Sequence, residues 1–264
     1  MLCWRRLELT PVYEEEIEGF IFREFHEVGR PKYMIVGLPD VGLVGQIAAM
    51  HLVKSFQLKD KVGIDSYVLL PPVAVVREGE NVCPIRVYGD DRLLVAITDI
   101  VLSSRAAIAL SLALIEYARL KGVDTIVGFT GTATPDRAEL EKPRVYWVSS
   151  NPSLDKMFEN VENASKAREG FIVGPYAVML KEALRKRLNY LLLMADSYLD
   201  IPDPEAAAEA LRVFSKISGI EVPVDELVKE GELVRLKLRE VMKEARPVIA
   251  RMGKSYEHRL PIVY

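Results

Sequence analysis

"IVGLPDVGLVGQIAAMHLV", residues 35–53, runs from an apolar stretch through a glycine-rich turn into an apolar helix. The preceding residues extend the apolar stretch to "KYMIVGL", continuous enough for a strand buried on both faces. A strand that feeds a helix through glycines has two readings. The turn cradles a phosphate, or it only redirects the chain. A P-loop needs Lys followed by Ser or Thr, and Val44, Gly45 and Gln46 stand there instead. Leu38 occupies a place where the G-x-G-x-x-G pattern requires glycine. Asp40 lies in the turn, where its charge opposes a phosphate and its carboxylate can cap the helix. The residues favour a tight strand-to-helix turn, with Gly42 and Gly45 admitting close packing. Phosphate binding is the alternative.

Working outward, the same alternation recurs. A helix is expected from Leu43 to Phe56, and "IDSYVLL" reads as a strand stopped by Pro71-Pro72. "PIRVYGDDRLLVAIT" reads as a hairpin turning at Gly89-Asp90-Asp91, which can supply positive φ. Ser104 to Lys121 predicts a helix ended by Gly122. "VDTIVGF" and "NYLLLMA" read as buried strands, "RVYWVSS" as a further strand and "TGTATPD" as a loop. A helix follows "GP" at Pro175, and another is capped by Asp203 and ended by Gly219. Residues 150–170 read as polar loop with one short helix, and the acidic "EEEIEG" as a solvated stretch. Strands alternating with helices over residues 33–219 predict an α/β fold with helices on both faces of a sheet.

After Pro223 the pattern changes. Leu227, Gly231, Val234, Leu238, Val241, Ala245, Val248 and Met252 recur in steps of four and three. This predicts an amphipathic helix that packs on its own domain or contacts another subunit, weakened as a long coiled coil by Gly231 and Pro247. The organisation expected is an α/β core over 1–220, a helical segment over 221–252 and an apolar-ended tail over 253–264.

With 264 residues, 50% hydrophobic and 28% charged, the chain has ample material for a large core. A net charge of -3 with interleaved signs argues against nucleic acid as a partner. Cys3 and Cys83 make neither a disulfide framework nor a cysteine zinc site. The N-terminus has no signal-peptide h-region, and Glu116 and Arg119 interrupt the most apolar stretch, Ala106 to Leu120. A soluble, cytoplasmic protein without membrane contact is expected.

The search for chemistry is nearly empty. His26, His51 and His258 are scattered, and no G-x-S-x-G elbow is present. No clustered metal-ligand spacing occurs, and Cys83 before Pro84 reads as structural. Asp99, Ser103, Ser104 and Arg105 stand at a strand-to-helix junction, a place where open α/β sheets hold ligands. Helix capping by Ser103 or Ser104 is the favoured reading there. Thr130 to Thr134 offer hydroxyls but no strong base. An enzyme of phosphorylase-like or hydrolase-like shape, using the loops at Asp40, Asp99–Arg105 and Thr130–Thr134 on a small nucleoside-type ligand, is the alternative function.

"GLPDVGLVGQIAAMHLV", "LPPVAVVREG", "PIRVYGDDRLLVAITD", "GVDTIVGFTG", "GFIVGPYAVML" and "PDPEAAAEAL", in this order, resemble the PAC2 family of proteasome assembly chaperones and its archaeal homologues. The resemblance spans roughly residues 33–215. It implies a three-layer α/β/α sandwich related in shape to nucleoside phosphorylases, without catalytic residues or cofactor. It implies proteasome α-subunits or a homologous chaperone as partner, and a homo-oligomer. It also suggests a role for the tail, because many proteasome-binding proteins end in a hydrophobic residue, a tyrosine and one further residue. Here the order is Ile262-Val263-Tyr264, with the tyrosine last, so the pattern is departed from. These three residues are the expected partner-binding group, on α-subunits or within the protein's own oligomer. A structural adaptor for a homologous chaperone is a third expected role.

Overall fold

Every residue of Tyr33–Gly37 is buried, as the continuous apolar run requires, and the segment forms strand β3 at the centre of a sheet. The computed structural model describes residues 11–253. Ahead of β3 come β1 (Tyr13–Ile17) and β2 (Phe20–Glu24), and after it α1 (Val44–Ser55) and β4 (Lys59–Asp65). Two three-residue strands, β5 (Val75–Arg77) and β6 (Glu80–Val82), pair only with each other. Then follow β7 (Ile85–Gly89), β8 (Leu93–Thr98), α2 (Ser104–Leu120), β9 (Thr125–Ala133), β10 (Val145–Ser149) and β11 (Ala164–Lys166). The chain continues through α3 (Pro175–Lys186), β12 (Asn189–Ser197), α4 (Pro204–Ser218), α5 (Asp225–Lys229) and α6 (Gly231–Arg251).

The large sheet has the order β1-β2-β4-β7-β8-β3-β9-β12-β10-β11. Its centre, β8-β3-β9-β12, is parallel. Alternate residues on these strands face opposite cores. Tyr33, Ile35, Val127, Phe129, Leu191 and Leu193 meet α1 and α4. Met34, Val36, Ile126, Tyr190 and Leu192 meet α2 and α3. The protein is therefore a three-layer α/β/α sandwich with its parallel strands buried on both faces. Phe214 of α4 meets Tyr33 and Phe129 edge-on, at centroid distances of 5.5 and 5.8 Å.

Several local expectations are corrected. The strand expected in "IDSYVLL" ends at Asp65. Its carboxylate accepts from Ser66 N, and Ser66 Oγ accepts from Val68 N and Leu69 N, so side chains bend the backbone out of the ladder. The β7–β8 turn needs no positive φ at residues 89–91. Instead, Asp90 Oδ1 accepts from the amides of Arg92 and Leu93, at 2.8 and 2.9 Å. "TGTATPD" is mostly strand, because β9 stays paired with β12 as far as Ala133 opposite Ser197. The acidic stretch forms a hairpin with β2, its outer positions exposed. The 150–170 region contains a 3-10 turn over Pro152–Phe158, and β11 beside β10.

The C-terminal helix breaks at Glu230, and Gly231 opens α6. Its buried stripe is Leu238, Met242, Ala245 and Ile249, with Val234 and Val241 only partly covered. Met242 and Ile249 replace two of the seam positions expected from the heptad. The stripe packs on the sandwich itself.

Candidate functional site

In open α/β sheets, ligands sit outside the carboxyl ends of the strands, where neighbouring strands send their connections to opposite faces. That point lies between β3, which leads to α1 on one face, and β8, which leads to α2 on the other. Here the crevice is filled. Leu38 and Pro39 after β3, and Val101 and Leu102 after β8, meet Ala245, Val248, Ile249 and Met252 of α6 and the residue following it. About 20 Å³ is left between them, room for no more than a single water.

The glycine turn is equally closed. A Cβ at Gly45 would lie 2.3 Å from the Phe129 carbonyl oxygen and 2.5 Å from the Tyr176 hydroxyl. Gly42 has φ +58, and a Cβ there would lie 1.9 Å from Ser197 Oγ. Tyr176 OH accepts from the Leu38 amide at 3.0 Å and donates to the Leu38 carbonyl at 3.3 Å. Burial, reinforced by the Asp40 charge, holds this phenol well above its ordinary pKa, so it remains a donor. Asp40 does not cap the helix. Its carboxylate accepts from Thr130 Oγ1 at 2.8 Å, 1% exposed. The Leu38, Gly42 and Leu43 amides donate to the Tyr176 hydroxyl, the Leu199 carbonyl and the Asp40 carbonyl, and the turn redirects the chain.

The other carboxylates at this end are held in the same way. Asp99 accepts from Arg86 Nη2 at 2.6 Å and is also paired with Arg77 of β5. Ser103 caps α2 by accepting from Ala106 N, while Arg105 points to solvent. Asp196 accepts from Thr134 Oγ1 and from Arg144 Nε, both at 2.7 Å. Asp203, fully buried, accepts from Arg137 Nε at 2.7 Å and caps α4 through Ala206 N. Arg137 is 2% exposed. Burial alone would lower its pKa, but the hydrogen bonds and charges of Asp203 and Glu205 outweigh burial and raise it. The sequence-predicted loops are thus brought to one end of the sheet, but as pairs satisfied within the protein.

His51 comes within 3.2 Å of Ser55 Oγ, the one Ser–His approach among the described hydrogen bonds. Its Nε2 lies 2.7 Å from the Pro223 carbonyl oxygen, so that nitrogen carries the proton and donates it. A nitrogen committed in this way cannot take a proton from serine. Burial lowers the His51 pKa, which keeps the ring neutral and tying α1 to the α5 approach. His26 is exposed, and Cys83 is half-buried over Gly63. Among the described residues there is no group of three metal-ligating side chains, and no helix long and apolar enough to cross a membrane.

What the fold does expose is apolar protein surface. Beyond β4 the chain projects through Tyr67 and Val68, 82% and 83% exposed, then through Pro71 and Pro72 into the β5–β6 hairpin with Val73 and Val76 open. Arg77 ties this hairpin to Asp99. A second surface runs along the outer side of α6, where Leu236 and Ile201 are flanked by Arg239, Glu240 and Arg246. Sequence reasoning took the two prolines only as a strand stop. The apolar "VLLPPVAVV" with few charges to solvate it was the available signal. Ile262, Val263 and Tyr264, like His258 and Cys3, lie outside the described residues.

The protein is a three-layer sandwich with a plugged crevice, internally paired charges and open apolar projections. The chain belongs to the PAC2 family, which it matches over residues 34–242. It is similar to PbaA of Pyrococcus furiosus, an archaeal homolog of proteasome-assembly chaperone, with a TM-score of 0.79 and 27% identity over 88% of this chain and 99% of that one. PbaB of the same organism, an archaeal proteasome activator, superposes with a TM-score of 0.71 at 22% identity, over 85% and 99% of the two chains, a likeness of fold. The uncharacterized protein MJ0106 of Methanocaldococcus jannaschii is 22% identical over 84% of this chain and 90% of its own length.

Proposed function

We propose that this protein is a non-catalytic proteasome assembly chaperone or proteasome-binding protein that holds 20S α-subunits through surface complementarity. The observation that carries the reading is the filled crevice. The place where an α/β enzyme holds substrate is packed by α6, and the acids beside it are already paired. The likeness to PbaA, an archaeal homolog of proteasome-assembly chaperone, supports a proteasome-related partner. In this reading the protein acts as a homo-oligomer in the cytoplasm, without cofactor. The projection around Val68 and Val76 makes the apolar contact, and Ile262, Val263 and Tyr264 add an anchor.

The test is binding to α-subunits from the protein's own source, before and after deletion of residues 260–264. Weaker binding with an unchanged melting temperature is expected of the deletion. Unchanged binding removes the tail from the mechanism and leaves the surface to be tested by substitution.

A further inference from the structure

One cavity lies apart from the filled crevice. It sits on the α2–α3 side of the sheet, over the later residues of β9 and β12 and beside β10, and encloses about 230 Å³. That equals roughly eight waters and falls below the range of about 300–1,000 Å³ usual for drug-sized ligands. It suits a ligand of ten or so heavy atoms.

Its floor is apolar, formed by Val148 and Met194, with Ile172 and Phe171 closing from above. The floor is fixed by the sheet, since Met194 of β12 pairs with Thr130 of β9 on one side and with Tyr146 of β10 on the other. The cover is the segment between β11 and α3, whose Gly170 and Gly174 have φ +144 and +88. Gly170 is exposed, and a Cβ there would meet nothing within 4 Å.

The polar side chains of the lining are Thr130, Thr132, Tyr146, Arg168 and Glu169. Thr132 lines the wall, and no hydrogen bond of its hydroxyl is found among the described residues, unlike that of Thr130, which is bound to Asp40. Arg168 and Glu169 line the mouth, both exposed, and neither forms an ion pair among the described residues. Nearby, Asp196 is paired with Arg144 and Asp203 with Arg137. One cation and one anion side by side above an apolar floor match a zwitterion with an apolar substituent. Glu169 would repel a phosphate, and a simple hydrocarbon would leave both charges unused.

We propose that this cavity binds an α-amino acid with a large apolar side chain, of leucine to phenylalanine size. Arg168 takes the α-carboxylate, Glu169 the α-ammonium, and the side chain rests on Val148 and Met194. The same chemistry is offered by a free amino acid and, with one charge missing, by the end of a peptide. The inference does not depend on α-subunit binding.

The experiment titrates the full chain with L-phenylalanine and L-leucine, followed by amide chemical shifts, with N-acetyl-phenylalanine and phenylalaninamide as comparison arms. Saturable binding at millimolar concentrations is expected, with shifts centred on residues 130–132 and 167–172. Each blocked compound should bind about tenfold more weakly, as should the Arg168→Gln variant, in line with loss of one charge-assisted contact. Val148→Trp should fill the floor and abolish binding, with unchanged circular dichroism showing that the fold is intact. Lack of saturable binding overturns the proposal. Binding that Arg168→Gln and Val148→Trp leave unchanged overturns it as well. Equal affinity for a blocked compound replaces the free amino acid with a peptide end.

Discussion

Two segments leave strand ends in this molecule and meet opposite fates. After β3, residues 38–45 are tucked against β9, β12 and α3, and even a methyl group at Gly45 has no room. After β4, residues 66–76 run outward, with Val68 and Tyr67 almost wholly in solvent. Both segments are apolar and both follow a strand. The difference lies in what else reaches them. Tyr176, Ser197 and Phe129 converge on the first, while the second is held by Ser66, Arg77 and the buried Leu70, which leaves Tyr67, Val68 and Val76 outside. Apolar character alone therefore does not separate core from exposed surface. Long-range partners do.

Substitutions at the sealed end should cost the most. Arg137→Met leaves the Asp203 carboxylate buried and uncompensated, and a loss of about 3–5 kcal/mol is expected by denaturant unfolding. If that loss is below about 1 kcal/mol, the end is looser than its packing implies. Gly45→Ala forces a methyl group onto the Phe129 carbonyl and the Tyr176 hydroxyl, and should cost about 1–3 kcal/mol in the same assay.

A smaller effect concerns pH. The His51 pKa is lowered in the folded protein, first by burial, so the unfolded chain binds the extra proton more readily. Stability from this group is present above the unfolded value, about 6.5, and is lost as pH falls through the folded one. The melting temperature should drop on acidification from neutrality, and His51→Gln should flatten that part of the profile. An identical profile in the variant would assign the acid sensitivity to other groups. At the open end the effect on stability should vanish. Val68→Ser with Val76→Ser should change it by no more than about 0.5 kcal/mol each, while weakening partner binding.

The sequence was most legible where structure is local. The β3 run and the capping of α2 by Ser103 and of α4 by Asp203 follow from neighbours in the chain. It was least legible where distant segments meet. Arg137 and Asp203 are 66 positions apart, and nothing near either residue signals the pair. The α6 stripe announces an amphipathic helix but not that its last turns plug the crevice between β3 and β8. The β5–β6 hairpin has strands of three residues, too short for an alternating pattern to register. Leu43 adopts φ +51, a left-handed conformation that no sequence rule would assign to leucine. The pairing of Asp99 with Arg86 and of Asp203 with Arg137 was not legible in the sequence.

The central claim is that the sealed end serves the fold and the open end serves a partner. Light scattering behind size exclusion, with α-subunits from the protein's own source, tests it most directly. The account predicts a complex for the parent protein. It predicts markedly less complex for Val68→Ser/Val76→Ser at an unchanged melting temperature. Failure of the parent protein to bind either free α-subunits or assembled rings would contradict it.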